Sequence, residues 1–228
     1  AQVAPIRNEI QQSAVVHCDE TGSRVAGQNW YEWVFNSVRA VFHVIRFDRS
    51  VDVIQDVMAG HMVDVWVSDC YSAQVKAPAR YRQLCMAHQL RQLQAVIDRY
   101  PGSFWPKAMQ TLFRSAIHLH HRRDQLSPPE YEAQVRRLEH LCHWLLERSL
   151  EQEEARRLQK RYLKYRNCLF VFLYRTDVDP TNNISERYLR PSVIHRKIIG
   201  CFRSSWGAEA YAAIASVIHT AALNNLSP

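Results

Sequence analysis

The spacing of apolar residues changes along the chain, and this change restricts the fold more than any other feature of the sequence. In the first third, short runs rich in aromatic and β-branched residues predict strands at 14–19, 30–37, 40–47 and 63–69. A helical spacing predicts one helix at 49–60, so the expected order is three strands, a helix and a strand. We interpret the second and third strands as an antiparallel meander.

The middle of the chain follows a different pattern. From about residue 83 to residue 166, apolar residues recur every three or four positions, which predicts an almost entirely helical block. The apolar run at 169–175 fits either a strand or the buried end of a helix, and periodicity does not decide between them. A final amphipathic helix is expected at 208–223. The segment at 21–29, TGSRVAGQN, contains two glycines and predicts a turn region.

Composition limits the class of protein. The chain has 228 residues, of which 47% are hydrophobic, enough for a core in one large domain or in one domain with an insertion. The formal net charge of +7 favours a polyanionic partner such as nucleic acid. The six cysteines form no Cys-x-x-Cys pair, which predicts reduced thiols in a cytosolic protein. No apolar run is long enough to span a bilayer, so no membrane protein is expected.

Two of the predicted strands end in an aspartate. Asp19 ends the run AVVHCD, and Asp69 ends the run VDVWVSD. A carboxylate in that place is costly unless it is solvated, paired or bound to a metal. If the two strands are neighbours, both carboxylates converge at one edge of the sheet, and oxygen ligands of this kind suit Mg²⁺ or Mn²⁺. Glu20 follows Asp19, and strand alternation turns its side chain to the other side.

The segment 179–191, DPTNNISERYLRP, supplies a third carboxylate, Glu186. Pro180 permits a helix to begin and Pro191 is expected to stop or kink it, with Asp179 or Thr181 as the cap. Four polar residues then share one face of this short helix: Asn182, Asn183, Glu186 and Arg190. This face is either exposed to solvent or completes a metal site by supplying its third carboxylate.

Four motifs occur in order: HCDETGSRVAG, VSDCYSA, QLCMAHQLRQL and DPTNNISERYLRPSVIHRK. Together they resemble the transposases of the insertion sequence 66 family, a branch of the DDE transposases. The resemblance implies a ribonuclease-H-like α/β fold, with a mixed sheet of about five strands, flanking helices and an all-helical insertion. We therefore expect a first part of the catalytic core at 1–89, the insertion at 90–168 and the second part at 169–228.

The resemblance also implies the chemistry. Asp19, Asp69 and Glu186 are expected to be the catalytic triad and to bind two Mg²⁺ or Mn²⁺ ions for phosphodiester hydrolysis and strand transfer. His88 and Asn182 are expected beside the site. Family members carry upstream segments that bind DNA and zinc. Since the first residue is Ala1 and not Met, we expect this chain to be the core alone.

A basic run follows Glu186, with no acid before residue 207. Its expected role is to contact DNA phosphates, because arginine offers a permanent charge and a fork of donors. The residues expected to bind DNA are Asn183, Arg187, Arg190, Arg196, Lys197 and Arg203. The expected partners are double-stranded DNA, both transposon ends and target, and further copies of the chain on that DNA, in the cytoplasm at the nucleoid. Two alternatives stay open: a ribonuclease-H-like nuclease without strand transfer, and a catalytically inactive DNA-binding remnant.

Overall fold

A computed structural model describes residues 3–227 of the chain. The strands are β1 Val15–Val25, β2 Gln28–Asn36, β3 Val41–Arg46, β4 Val63–Ser68 and β5 Ala79–Leu84. The α-helices are α1 Val3–Gln12, α2 Val51–Met58, α3 Met86–Arg99, α4 Phe104–His121, α5 Pro128–Leu146, α6 Glu153–Lys164, α7 Val171–Tyr174, α8 Asn183–Ile199 and α9 Ser205–Leu223. These elements form two compact units, one of residues 1–82 with 181–228 and one of residues 83–180.

The five strands form one mixed sheet in the order β3-β2-β1-β4-β5. β1 pairs antiparallel with β2, β2 pairs antiparallel with β3, and β1 pairs parallel with β4. This topology confirms the predicted α/β fold with a mixed sheet, the antiparallel meander, and the order of three strands, a helix and a strand. The parallel pairing of β1 with β4 also makes neighbours of the two strands that lead to Asp19 and Asp69.

Several local predictions are wrong. β1 continues through the segment expected to be a turn, because its residues pair one by one with β2 as far as Val25↔Gln28. The turn is confined to Ala26 and Gly27, both at positive φ. The fifth strand comes from 79–84, where the sequence patterns predict no strand. For 169–175, where a strand and a helix both stayed open, the structure has the short helix α7. The helix α1 is also not predicted.

Helices cover both faces of the sheet. On one face, the tryptophans Trp33 and Trp66 are fully buried against side chains of α1 and α2, including Ile10 and Ile54. Each large apolar side chain buried in this way contributes roughly 1.5–3 kcal/mol. On the other face, Leu189 of α8 packs on β2 and β3, and two alanines of α9 pack on β1 and β3.

Helix α9 also closes the open edge of the sheet. The outer backbone amides of β3, at Val41 and His43, donate to the hydroxyls of Thr220 (3.0 Å) and Ser216 (2.8 Å) on α9. Unpaired strand edges otherwise present free donors and acceptors to other chains. This arrangement fixes α9 on the sheet by directional bonds in addition to apolar contacts.

The second unit is helical apart from the end of β5, in agreement with the helical pattern of the middle of the chain. After residue 127 this helical pattern corresponds to two helices, since α5 ends at Leu146 and α6 begins at Glu153. Ser127 and Glu130 form a capping box at the start of α5. In the core of this unit, the ring of Tyr162 meets Phe113 edge-on at 5.3 Å between centroids. Within residues 3–227, no helix is long and apolar enough to cross a membrane.

Candidate metal centre

Asp19 and Asp69 lie at adjacent strands of the sheet. The parallel register aligns Val15 with Val65 and His17 with Val67, and this pairing ends two residues before Asp19 on β1 and two residues before Asp69 on the β4 side. Asp19 is still inside β1, whereas Asp69 is the first residue after β4. Backbone amides hold both carboxylates: Asp19 accepts from the amide of Glu20 at 2.9 Å, and Asp69 accepts from the amide of Tyr71 at 2.8 Å.

Glu186 lies in the first turn of α8. The sequence predicts that Pro191 stops or kinks this helix. The helix does not stop there but continues to Ile199. The ring of Pro191 is exposed, and the helix is anchored on both sides of it, by the buried side chain of Leu189 and by a 2.7 Å hydrogen bond from Ser192 to Glu32 on β2. These contacts offset the amide that proline removes from the helix.

The three acids share one electrostatic environment. The pKa of the Asp19 carboxyl is raised from 3.8 to about 7, first by burial and then by the charges of Glu20, Asp69 and Glu186. The hydrogen bond from the Glu20 amide acts in the opposite direction but is outweighed. Negative charges that raise the pKa of a buried carboxyl act against its ionisation, and a cation placed beside Asp19 would relieve this repulsion.

The side chains are not gathered around one point. In the described part of the chain, no group of three or more histidine, cysteine, aspartate or glutamate side chains is arranged to hold a metal ion. The donor set nevertheless has the chemistry that Mg²⁺ and Mn²⁺ prefer, because all three candidates are carboxylates. The role of Asp19, Asp69 and Glu186 as metal ligands therefore stays a proposal.

Glu20 has other partners than the metal candidates. Its carboxylate is almost fully buried and accepts hydrogen bonds from Gln74 at 2.7 Å and from Arg49 at 2.7 Å. The guanidinium of Arg49 in turn stacks on the ring of Tyr71 at 4.1 Å. Strand alternation correctly predicts that Glu20 points away from Asp19. No sequence pattern points to Arg49, in the loop before α2, or to Gln74, in the 3-10 turn Gln74–Lys76.

The two asparagines at the start of α8 differ in their surroundings. The sequence predicts Asp179 or Thr181 as the N-cap of α8, but the N-cap residue is Asn182. The side chain of Asn182 makes no capping hydrogen bond to the helix. It is instead fully buried and donates to the backbone carbonyl of Cys18 at 2.8 Å. Asn183 is exposed, as a residue that contacts DNA must be.

The basic residues predicted to bind DNA lie on α8 and in the segment that follows it. Arg187, Arg190, Lys197 and Arg203 are exposed and Arg196 is half-buried. In residues 3–227, none of these five cations forms an ion pair with an acidic side chain. Their charges are thus available to an external anion. His88 is on α3, in the other compact unit, and its place beside the acids stays a prediction.

A mixed five-stranded sheet, flanked by helices, with three acids in one electrostatic environment on β1, after β4 and on a late helix, matches a ribonuclease-H-like α/β protein. The family model described as "Transposase IS66 family" matches residues 2–210 of the chain. The chain therefore belongs to the IS66 family of transposases, as the sequence motifs predict. No curated protein matches the sequence.

Proposed function

We propose that the chain is the catalytic core of a DNA transposase that hydrolyses phosphodiester bonds at transposon ends and joins the freed 3′-OH to target DNA. Membership of a transposase family supports this proposal, since such proteins act on DNA. The observation that carries the chemistry is the raised pKa of Asp19: burial and Glu20 raise it most, and Asp69 and Glu186 add to the rise although they lie far away in the sequence. Mutual repulsion of this kind is expected where carboxylates are meant to share a cation.

In this proposal Asp19, Asp69 and Glu186 hold two Mg²⁺ or Mn²⁺ ions. Such ions lower the pKa of a bound water and neutralise charge on the phosphate oxygens. The protein's own contribution is to present three carboxylates on defined elements: Asp19 within β1, Asp69 directly after β4 and Glu186 in the first turn of α8. The backbone amides of Glu20 and Tyr71 hold Asp19 and Asp69 in place.

The exposed cations of α8 would bind the DNA backbone next to the acids. Arg190 is one helical turn after Glu186 on the same face of α8, so a phosphate beside Glu186 would lie within reach of its side chain. Arg187 directly follows Glu186 and would contact the DNA from the adjacent face of the helix. Asn183, Arg196, Lys197 and Arg203 would extend this surface. Contacts to phosphates are sensitive to salt and carry little sequence information. Recognition of the transposon ends would then come from other segments, and the active form would be an oligomer on paired ends, at the nucleoid.

One observation favours a second candidate, an inactive DNA-binding remnant. The described carboxylates do not form a ready-made metal cluster, and a decayed enzyme would retain its basic surface while losing that cluster. The two candidates differ in one property. The transposase cleaves DNA when a divalent metal is present, whereas the remnant binds DNA without cleaving it.

The test is a nicking and joining assay with supercoiled plasmid and a labelled oligonucleotide carrying a free 3′-OH, in the presence of Mn²⁺. We expect the wild-type chain to nick the plasmid and to join the oligonucleotide, and Asp69→Asn and Glu186→Gln to abolish both. The matched control is Asp64→Asn, which changes a half-buried acid that pairs with Arg80. Nicking without joining would identify a nuclease, and DNA binding without any metal-dependent cleavage would identify the remnant.

A further inference from the structure

A chain of buried polar side chains connects the strand that carries Asp19 with the helix that carries Glu186. Asn36 is the last residue of β2, and its amide lies 2.6 Å from the hydroxyl of Ser185 on α8. This hydroxyl donates to the side-chain oxygen of Asn182 at 2.8 Å, and Asn182 donates to the carbonyl of Cys18 on β1 at 2.8 Å. All three side chains are completely buried.

Each hydrogen bond in this series of side chains can have both a donor and an acceptor. A serine hydroxyl has one proton, which Ser185 gives to Asn182, so its contact with Asn36 needs a donor from the other side. Turning the Asn36 amide by 180° exchanges its oxygen and nitrogen and makes Asn36 that donor. The turn also satisfies the Asn36 amide nitrogen, which is otherwise buried without a partner in the described structure. The bonds then run in one direction, from Asn36 through Ser185 and Asn182 to Cys18.

Two members of this hydrogen-bonded series are sequence neighbours of the proposed metal ligands. Cys18 directly precedes Asp19, and Ser185 directly precedes Glu186. The apolar contacts of α8, such as those of Leu189 with Val34, hold the helix on the sheet but are not directional. Hydrogen bonds lose strength steeply with distance and angle, so they set the position of the first turn of α8 along and around its axis.

We propose that Asn36, Ser185 and Asn182 are positioning residues that set the distance between the carboxylates of Asp19 and Glu186 and thereby the affinity for the metal. This inference rests on the proposed function. None of the three side chains binds the metal or the DNA. Residues that orient metal ligands typically change metal affinity by about 10–100-fold when they are replaced.

The test measures Mn²⁺ binding to the full chain by calorimetry, at a temperature where circular dichroism shows each variant to be folded. We expect Ser185→Ala to weaken Mn²⁺ binding by about tenfold or more. Ser185→Thr keeps the hydroxyl, and we expect it to bind Mn²⁺ within about threefold of the wild type. Asn36→Ala is the second variant, and it decides the question if Ser185→Ala does not fold.

Ser216→Ala is the matched control, because Ser216 is an equally buried serine that links a helix to the same sheet, remote from the acids in the sequence. We expect this variant to lose stability but to keep its affinity for Mn²⁺. The inference is overturned if Ser185→Ala and Asn36→Ala bind Mn²⁺ as the wild type does, or if Ser216→Ala loses as much affinity. A wild-type chain that binds no Mn²⁺, or an Asp69→Asn variant that binds it unchanged, refutes the proposed function itself.

Discussion

Replacement of Asp19 by asparagine should stabilise the metal-free protein at neutral and alkaline pH. The folded protein raises the pKa of this carboxyl from 3.8 to about 7, so folding opposes its ionisation. Between these two pH values the unfolded chain has lost the proton while the folded chain retains it. The free energy of unfolding therefore falls as the pH rises through this range. Above about pH 7 the ionised Asp19 destabilises the folded protein by the full amount.

The size of the penalty follows from the same two values. A pKa difference of one corresponds to about 1.4 kcal/mol, so the rise of Asp19 from 3.8 to about 7 corresponds to at most ~4 kcal/mol. Asparagine has nearly the same shape and keeps an oxygen that can accept from the Glu20 amide. We therefore expect Asp19→Asn to be more stable than the wild type by ~1–4 kcal/mol at pH 8 and to be nearly equal to it at pH 4.

Urea denaturation in the presence of a chelator, at pH 4 and at pH 8, measures both differences. Asp64→Asn is the control, since this carboxylate is half-buried and is paired with Arg80. Addition of Mn²⁺ should reverse the order at pH 8, because an ion would stabilise the charged wild type and not the amide. Equal stability of wild type and Asp19→Asn at pH 8 would refute the account of a buried, repelled carboxylate.

Two further predictions concern His219 on α9 and two arginines on α8, which belong to the same compact unit as Asp19. Burial and the neighbouring His43 lower the pKa of His219 to about 4, so stability should fall as the pH falls from about 6.5 to 4. The effect of this partly exposed side chain should be on the order of 1–2 kcal/mol. His219→Gln should flatten this dependence in urea denaturation at several pH values, whereas the exposed His61→Gln should not. The double variant Arg187→Ser with Arg190→Ser should weaken DNA binding and reduce its salt dependence in fluorescence anisotropy, while Mn²⁺ binding stays unchanged.

Each of these two predictions has a contradicting result. If His219→Gln keeps the slope of the wild type between pH 6.5 and 4, the low pKa of His219 is not what makes the protein sensitive to acid. If the double arginine variant binds DNA with the affinity and salt slope of the wild type, α8 does not contact phosphates. A parallel loss of Mn²⁺ binding would mean that the arginines support the fold of the site and not the DNA contact.

The sequence predicts the sheet well because its strands carry strong local signals. Aromatic and β-branched residues fill β2 and β3, and because much of these strands is buried on both faces of the sheet they form nearly continuous apolar runs. β5 escapes prediction because its sequence, ARYRQL, has only Leu84 and its neighbour buried and otherwise consists of exposed or half-buried residues. A strand with so few buried residues is held in the sheet mainly by backbone pairing with β4. Local sequence patterns carry no information on such pairing.

The candidate site is predictable only in part, for a similar reason. Asp19, Asp69 and Glu186 stand out through strand ends and through the family motifs. The extension of α8 beyond Pro191 depends on tertiary anchors, Leu189 and Ser192, that a local rule for proline ignores. Asn36 and Ser185 have no sequence signal of their own, because their roles arise from contacts across more than a hundred residues.

The most direct test of the central claim is a calorimetric titration of the full chain with Mn²⁺, in the presence of a DNA duplex, for the wild type, Asp69→Asn, Glu186→Gln and the control Asp64→Asn. If Asp69 and Glu186 belong to one metal site with Asp19, the wild type and the control bind Mn²⁺. Asp69→Asn and Glu186→Gln each abolish Mn²⁺ binding or weaken it at least a hundredfold, which corresponds to about 2.7 kcal/mol. Unchanged Mn²⁺ binding by Asp69→Asn and Glu186→Gln would contradict the three-carboxylate site.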